Sequence, residues 1–508
     1  MIRREPIKRK EQKKRRKGPK RACFFAHLVL LILTFLLFPL NIFVVNFPKW
    51  VVVLSGILTL IVLVVYLVVF RTKIVTKIIL PVLYVGIVGF LLIVTYCCPY
   101  WNSYSFKQAD MVRMNFDEEL SYEQAAEDFA AAMRRLEHVH PLFRNGLTPE
   151  IRERYETSLA ALGEMQTITV NDLRREIQFV INPLHDAHTT TYNSWPEDYY
   201  LIEFLEKQRQ GYFVYSINGR TVAEILDAAA AYYSYESEAW INVDLVSLAT
   251  LRFYGYEEPF TYVWKNEAGE LVTESYTETD FVTWEEFDAV SQSYRGNTAE
   301  EPTEEASDSF VYYEIDEEKS LAVLTLTACN YNEEYRECVK EMFREVKAKQ
   351  IQNVAVDVRG NGGGNSMVAN EVIRYLPVTE YLEMPCDWRW GWFVISFDNQ
   401  RMKNKQYEDL LFDGALYVLT DSSSFSAAMD FAMLIQDNDL GYVVGEAPAN
   451  STNGYGDVAL FSLPNSGLLM QISTKKWYRI DETNTDDYVI PDFPCSGTDV
   501  METLYSLL

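Results

Sequence analysis

Between Cys23 and Cys98 the chain contains no aspartate or glutamate, and three long apolar runs fill that interval, at about Cys23–Val45, Trp50–Phe70 and Ile74–Cys98. Each is long enough to cross a hydrocarbon core of ~30 Å as a helix, and inside such a core every backbone N–H and C=O must be paired within the protein. Residues 23–98 are therefore expected to form three transmembrane helices. A cleaved signal peptide would account for the first run alone. Its length, a 22-residue lead with twelve Lys/Arg against Glu5 and Glu11, and the two apolar runs behind it favour retained helices.

The basic residues give the expected orientation. The tail of residues 1–22 and the Arg71/Lys73/Lys77 connection belong on the cytoplasmic side, whereas the Asn46–Lys49 link offers only Lys49. Three spans with the N-terminus inside place everything after about Tyr100 outside the cytoplasm, as in a multi-pass protein of the cell membrane. Residues 1–106 hold 16 Lys/Arg against two acids and the remainder holds 30 against 70, so the net charge of −26 divides into +14 and −40. So acidic an ectodomain argues against nucleic acid as a partner. Outside the apolar runs, Cys329, Cys338, Cys386 and Cys495 are too scattered for a disulfide scaffold or a CxxC metal site. One bridge would be compatible with that compartment, but the spacing does not pair them.

Residues 107–192 read as a helical subdomain, with an Ala-rich helix at Ala125–Leu136, a second at about Thr148–Leu162 and a third at Thr169–Ile181 that opens on N-cap residues. After Asn182 and Pro183, the run LHDAHTTTY enters a strand through three β-branched threonines. Residues 193–294 alternate Tyr, Phe and Val with polar residues around the turn signal Asn218-Gly219, which predicts a small β-rich module. A Glu/Thr/Ser-rich linker spans 295–310. In 311–508 the elements alternate: strand Ser320–Leu326, helix Glu333–Lys347, strand Val354–Val358, the loop RGNGGGN, helix Ser366–Tyr375, strand Ala415–Leu419, a helix from Ser426, strand Gly441–Gly445, and β-like stretches near Asp457–Leu463 and Leu468–Ile480. Such alternation implies an α/β layered core.

Two strand–loop–helix units in that core carry the chemistry. In the first, Gly360, Gly362, Gly363 and Gly364 allow backbone N–H groups to approach a ligand closely. The loop lacks the Lys-Ser/Thr ending of a phosphate loop and reads either as an oxyanion-binding loop or as a tight turn. In the second, TDSSSFSAA, Ser426 falls near the first turn of a helix, where N–H groups are unpaired and the dipole is positive. It is a candidate nucleophile, although Ser422, Ser423, Ser424 and Ser426 also suit a turn and an N-cap. A nucleophilic serine needs a base, and the chain has five histidines. His27 lies in the first apolar run, and His138 and His140 follow a helix whose C-terminal dipole they suit. His185 and His188 remain, in HDAHTT; with no third ligand motif nearby they make a weak metal signal. Only the fold can bring His188 to Ser426, 238 residues later.

From about Glu137 onward the chain resembles the peptidase family of the tail-specific (carboxyl-terminal-processing) proteases and the tricorn protease core. Leu184-His185-Asp186-Ala187-His188-Thr189 resembles the Leu-x-Asp-Gly-His-Thr/Ser element that carries the base, with Ala187 in place of glycine. Val356 to Gly364 resembles the Asp-Leu-Arg-x-Asn-x-Gly-Gly loop, and Thr420 to Phe431 the nucleophile turn. Gly445-Glu446 and Pro491-Asp492 match later landmarks. Tail-specific members use a Ser–Lys dyad with a lysine soon after Gly-Glu. Here that segment reads EAPANSTNGYGD, and the first lysine beyond Gly445 is Lys475.

The resemblance thus implies the histidine-using branch: Ser426 as nucleophile, His188 as base, and N–H groups of Ala427 and of Gly362 or Gly363 as the oxyanion hole. By position in DETNTDDYVIPD it implies Asp486 as the orienting carboxylate, with Asp481 as the alternative. It further implies a crotonase-like α/β core in 311–508, with YSINGRTVAEIL marking a PDZ-like part of the 193–294 module. The expected protein is a membrane-anchored extracytoplasmic serine endopeptidase acting on proteins or peptides, without cofactor or metal. A catalytically silent peptide-binding relative and an esterase or amidase on a non-peptide substrate are the alternatives.

Overall fold

The structure, a computed structural model, describes residues 6–69, 73–107, 111–192, 195–296 and 309–508. The first five residues of the basic tail, Arg71 and most of the expected 295–310 linker lie outside the described residues. The chain divides into two units: one comprises residues 1–111 with 389–394 and 459–462, and the other comprises the rest.

In the first unit the apolar runs form three helices, α1 (Pro6–Phe43), α2 (Trp50–Val69) and α3 (Ile74–Cys97). The segments Gly18–Phe43, Trp50–Val69 and Lys77–Cys97 are long and apolar enough to cross a membrane. Polar groups on α1 and α2 find one another: Thr34 Oγ1 lies 2.6 Å from Ser55 Oγ and 3.3 Å from Thr59 Oγ1. Between apolar helices such pairs hold register, since no water competes for them. Where α1 ends, Asn41 Nδ2 donates to Asn102 Oδ1 at 2.6 Å and to the Phe47 carbonyl at 3.2 Å.

The second unit opens with the helical layer: α4 (Tyr122–Val139), α5 (Pro149–Glu164) and α6 (Val170–Ile181), each within a turn of its expected position. The boundaries were legible because caps mark them: Ser121 with Gln124, and Thr169 with Asp172, form capping boxes at the starts of α4 and α6, and Thr148 caps α5. The HDAHTT run yields only a two-residue strand, β1 (Thr190–Thr191). The module that follows contains an antiparallel sheet of β2 (Tyr212–Ile217), β3 (Arg220–Thr221), β4 (Phe260–Asn266) and β5 (Leu271–Tyr276), with helix α7 (Val222–Ala229) leaving β3. Asn218, at φ +47°, and Gly219, at φ +82°, make its tight turn.

The C-terminal region is built on a six-stranded sheet. Strand β6 (Val311–Asp316), which the sequence pattern did not reveal, pairs antiparallel with β7 (Leu321–Leu326) at one edge. After helix α8 (Glu333–Lys349), strand β8 (Asn353–Asp357) lies parallel to β7. Helix α9 (Met367–Ile373) and a hairpin of β9 (Cys386–Trp390) and β10 (Phe393–Phe397) precede β11 (Ala415–Thr420), which is parallel to β8. Helix α10 (Ala427–Asp437), strand β12 (Tyr442–Gly445), the long strands β13 (Tyr455–Ser462) and β14 (Leu469–Trp477), the short β15 (Phe493–Pro494) and helix α11 (Val500–Leu507) complete it, with sheet order β6-β7-β8-β11-β12-β15.

Both faces of the sheet are covered, which explains why its strands read as near-continuous apolar runs. Leu324, Val356, Val418 and Val443 pack with Val339, Phe343, Val372 and Phe431 of α8, α9 and α10. Ala355, Tyr417, Leu419 and Val444 point the other way, against Val500 and Leu504 of α11. Because β8 and β11 are adjacent and parallel, with Asp357 level with Leu419, their C-terminal ends deliver both glycine and serine loops to one edge of the sheet. Crevices at the carboxyl ends of parallel strands are where α/β folds place ligands.

Candidate active site

The two loops are locked together before any substrate is considered. Phe425 N–H donates to the Asn361 carbonyl at 2.9 Å, Ser424 Oγ to the Val358 carbonyl at 2.8 Å, and Gly360 N–H to the Asp421 carboxylate at 3.0 and 3.1 Å. Arg359 forks onto Asp357 at 2.6 and 2.9 Å and reaches the Gly497 carbonyl at 3.1 Å. Gly363, at φ +97°, lies against the serine turn: a Cβ there would fall 2.7 Å from the Phe425 carbonyl oxygen and 2.7 Å from Ser426 Cβ. Only glycine permits that approach.

Ser426 is held at φ +54°, ψ −123°, a region that L-residues seldom occupy, at the head of α10. Its own N–H is fixed by Asn450 Oδ1 at 2.8 Å. The Ala427 N–H and the Gly362 N–H donate to no group among the described residues, whereas the Gly363 N–H is taken by Asn361 Oδ1 at 2.8 Å. Of the two glycines expected to supply an oxyanion donor, Gly362 is the one whose N–H is open.

His188 reaches the same place from the HDAHTT loop. Its ring lies 4.6 Å from that of Phe425, the residue before Ser426, and Phe425 in turn stacks on Trp240 at 4.4 Å. The ring is nearly enclosed, and neither nitrogen has a hydrogen-bond partner. Burial lowers its pKa, against smaller upward pulls from Asp186 and Asp457. Asp186 Oδ1 and Glu236 Oε1 stand 4.0 and 3.9 Å from His188 Nδ1.

Those two carboxylates differ. Asp186 is saturated: Oδ2 accepts from His140 Nε2 at 3.0 Å and from Thr189 Oγ1 at 2.5 Å, and Oδ1 accepts from the His188 N–H at 2.9 Å. Burial would raise its pKa, but the bond from His140 and the charges of His140 and His188 hold it at about 2. His140 is thus the buried partner of Asp186 and more than a residue at a helix end. Glu236 keeps Oε1 unpartnered while Oε2 accepts from Asn450 Nδ2 and the Ser451 N–H. Burial, reinforced by the charge of Asp186, pushes its carboxyl up to about 8. Asn450 therefore links the serine turn to Glu236, and Glu236 faces the histidine.

Asp486 and Asp481 take no part in this cluster. The Asp486 carbonyl accepts from Thr452 Oγ1 at 3.0 Å and from Arg479, and the Asp481 carboxylate accepts from Thr483. The carboxylates within 4 Å of His188 are Asp186 and Glu236. Lys475 is ion-paired with Asp457. All seven cysteines are free thiols.

Residues 320–495, which carry both loops, match the family model described as Peptidase family S41. By that match the chain carries a peptidase family S41 region at residues 320–495. With that it is a serine-type peptidase. The chain is also similar to solved structures. The crystal structure of mature CPAF shares 13% identity at a TM-score of 0.54, covering 76% of this chain and 95% of that one. Mature CPAF complexed with lactacystin gives 11% and 0.52, over 76% and 96%. A photosystem II D1 C-terminal processing protease gives 13% and 0.41, over 76% and 97%. Among curated proteins, no sequence matches the chain.

Glu236 is the carboxylate beside His188 that the sequence did not single out. It lies in the β-rich module, 48 residues after His188, in no motif and with only tyrosines and serines for neighbours. Asp186, His188 and Glu236 also place one ligand atom each within 4.8 Å of one another, which is the spacing of a cation site.

Proposed function

We propose that this S41 peptidase cleaves proteins or peptides by a Ser–His mechanism in which Ser426 is the nucleophile, His188 the general base and Glu236 the orienting carboxylate. One observation carries the reading: a serine at a strained helix head, with two open N–H groups and an unbonded histidine ring gathered around its loop. Ser426 Oγ attacks the scissile carbonyl carbon while its proton passes to His188 Nε2. Glu236 faces Nδ1 and holds the ring in the tautomer that leaves Nε2 basic. The oxyanion is received by Ala427 N–H at the positive end of α10 and by Gly362 N–H. The protonated His188 then gives its proton to the leaving amine, and water repeats the sequence on the acyl-enzyme.

In this reading residues 311–508 form a crotonase-like peptidase core, 193–294 a PDZ-like module that contributes Glu236, and 107–192 the helical subdomain that presents His188. The three apolar helices anchor the chain, with residues 1–22 in the cytoplasm and the site outside it. The test is fluorophosphonate labelling of the full chain in detergent. The parent should label; Ser426→Ala should not, His188→Ala should label at least ~100-fold more slowly, and Asp486→Ala should label like the parent. A well-folded parent that stays unlabelled would overturn the proposal. The cation spacing of Asp186, His188 and Glu236 supports a second reading, metal-assisted hydrolysis. Labelling that persists in a chelator would remove it.

A further inference from the structure

The hairpin of β9 and β10 turns at Gly391, at φ +55°, and Arg389 Nε closes the turn on the Gly391 carbonyl at 3.0 Å. The turn is pressed onto the last residue of α3. A Cβ at Gly391 would fall 2.8 Å from Cys97 Cα and 3.0 Å from the Cys97 carbonyl oxygen. Cys97 ends the membrane-length segment Lys77–Cys97. The next two residues of the hairpin are Trp392 and Phe393, exposed by 69% and 52%. Strand alternation puts Ile395 and Phe397, also exposed, on the Phe393 side of β10.

The helix ends at this level share one chemistry. Trp50 begins α2 and Tyr96 lies in the last turn of α3, both with exposed rings. Lys49 Nζ donates to the Tyr96 carbonyl at 3.0 Å and stands over its ring at 5.4 Å. Amphipathic aromatics with a snorkelling lysine are the residues that populate the boundary between acyl chains and headgroups. Two large rings stand exposed on a tight turn whose Gly391 is pressed against the end of a membrane-length helix.

We propose that Trp392 and Phe393 insert into the headgroup–acyl boundary of the leaflet from which α3 emerges, so that the hairpin tip is a second lipid contact of the chain. The proposal rests on α1–α3 crossing the bilayer, and its occupant is that bilayer. The test uses the full chain in nanodiscs of phosphatidylethanolamine and phosphatidylglycerol, with p-benzoylphenylalanine replacing one residue at a time. Position 392 or 393 takes the probe, Ile57 in the middle of α2 is the span control, and Phe213 on β2, as exposed as Phe393, is the control for the module. After irradiation, mass spectrometry should find lipid adducts at 392, 393 and 57 and none at 213. Lipid adducts at 57 with none at 392 and 393, or adducts there to a second copy of the chain, would overturn the proposal while leaving the spans intact. No lipid adduct at 57 would overturn the spans and the hairpin proposal together.

Discussion

Ser426, the proposed nucleophile, stores conformational strain in its backbone. At φ +54°, ψ −123° a side chain is tolerated only because Asn450 and the adjoining glycine loop hold the turn. Replacing Ser426 by glycine relieves that strain, so Ser426→Gly should raise stability by about 1 kcal/mol in denaturant unfolding while abolishing peptidase activity. Lower stability in that variant would show that the serine side chain supports the turn. Glu236 gives a pH signature with a defined sign. Its folded-state pKa, about 8, is above the ordinary glutamate value of 4.5, so the folded chain holds this proton more tightly than the unfolded one. Its contribution to stability is complete below about pH 4.5 and is lost as pH rises through about 8. In the proposed mechanism activity runs the other way, because Glu236 orients His188 as a carboxylate. The kcat/KM profile should therefore show an acid limb below pH 6.5 from His188 and a further rise near pH 8 from Glu236. Glu236→Gln should keep the first and lose the second.

Among the elements, the loop carrying His188 is tied to the end of α4 by the buried contact of His140 with Asp186. The carboxyl, held at about 2 against an ordinary 3.8, contributes stability that is present above pH 3.8 and lost as pH falls through about 2. Removing the charge strands a buried histidine, so Asp186→Asn should cost roughly 3–5 kcal/mol in urea unfolding. A loss under 1 kcal/mol would mean that the loop is fixed by Thr189 and the β1 pairing alone. The glycine loop and serine turn rely on a different device, parallel neighbours. β8 and β11 end side by side, and Asn361 secures both loops through its carbonyl and its side chain. That side chain also decides which glycine N–H remains open.

For the whole molecule, charge and hydropathy support the proposed topology, with the N-terminal tail in the cytoplasm and the site outside it. An N-terminal epitope tag should be protected from protease added to intact cells, whereas a C-terminal tag should be removed. The reverse pattern would invert the proposed topology. Within the chain, local signals were legible wherever a cap, a glycine pair or an apolar period marks an element. The three long apolar helices, α4 to α6, the parallel strands β7, β8, β11 and β12, and the loops bearing Gly362 and Ser426 all sit where sequence places them. Strand β6 and the β9–β10 hairpin were not legible, because edge and hairpin strands rich in tyrosine, tryptophan and charge lack a clean two-residue period. The proposed orienting carboxylate, Glu236, was illegible for a stronger reason. Its selection depends on burial, on an open oxygen and on 3.9 Å to a ring, and these arise only when the β-rich module closes on the S41 core. Sequence singled out Ser426 and His188 as the candidate nucleophile and base because loop conformation and motif spacing are local properties. Tertiary structure alone set Glu236 and not Asp486 beside the His188 ring, since electrostatic influence falls with distance through space and not along the chain.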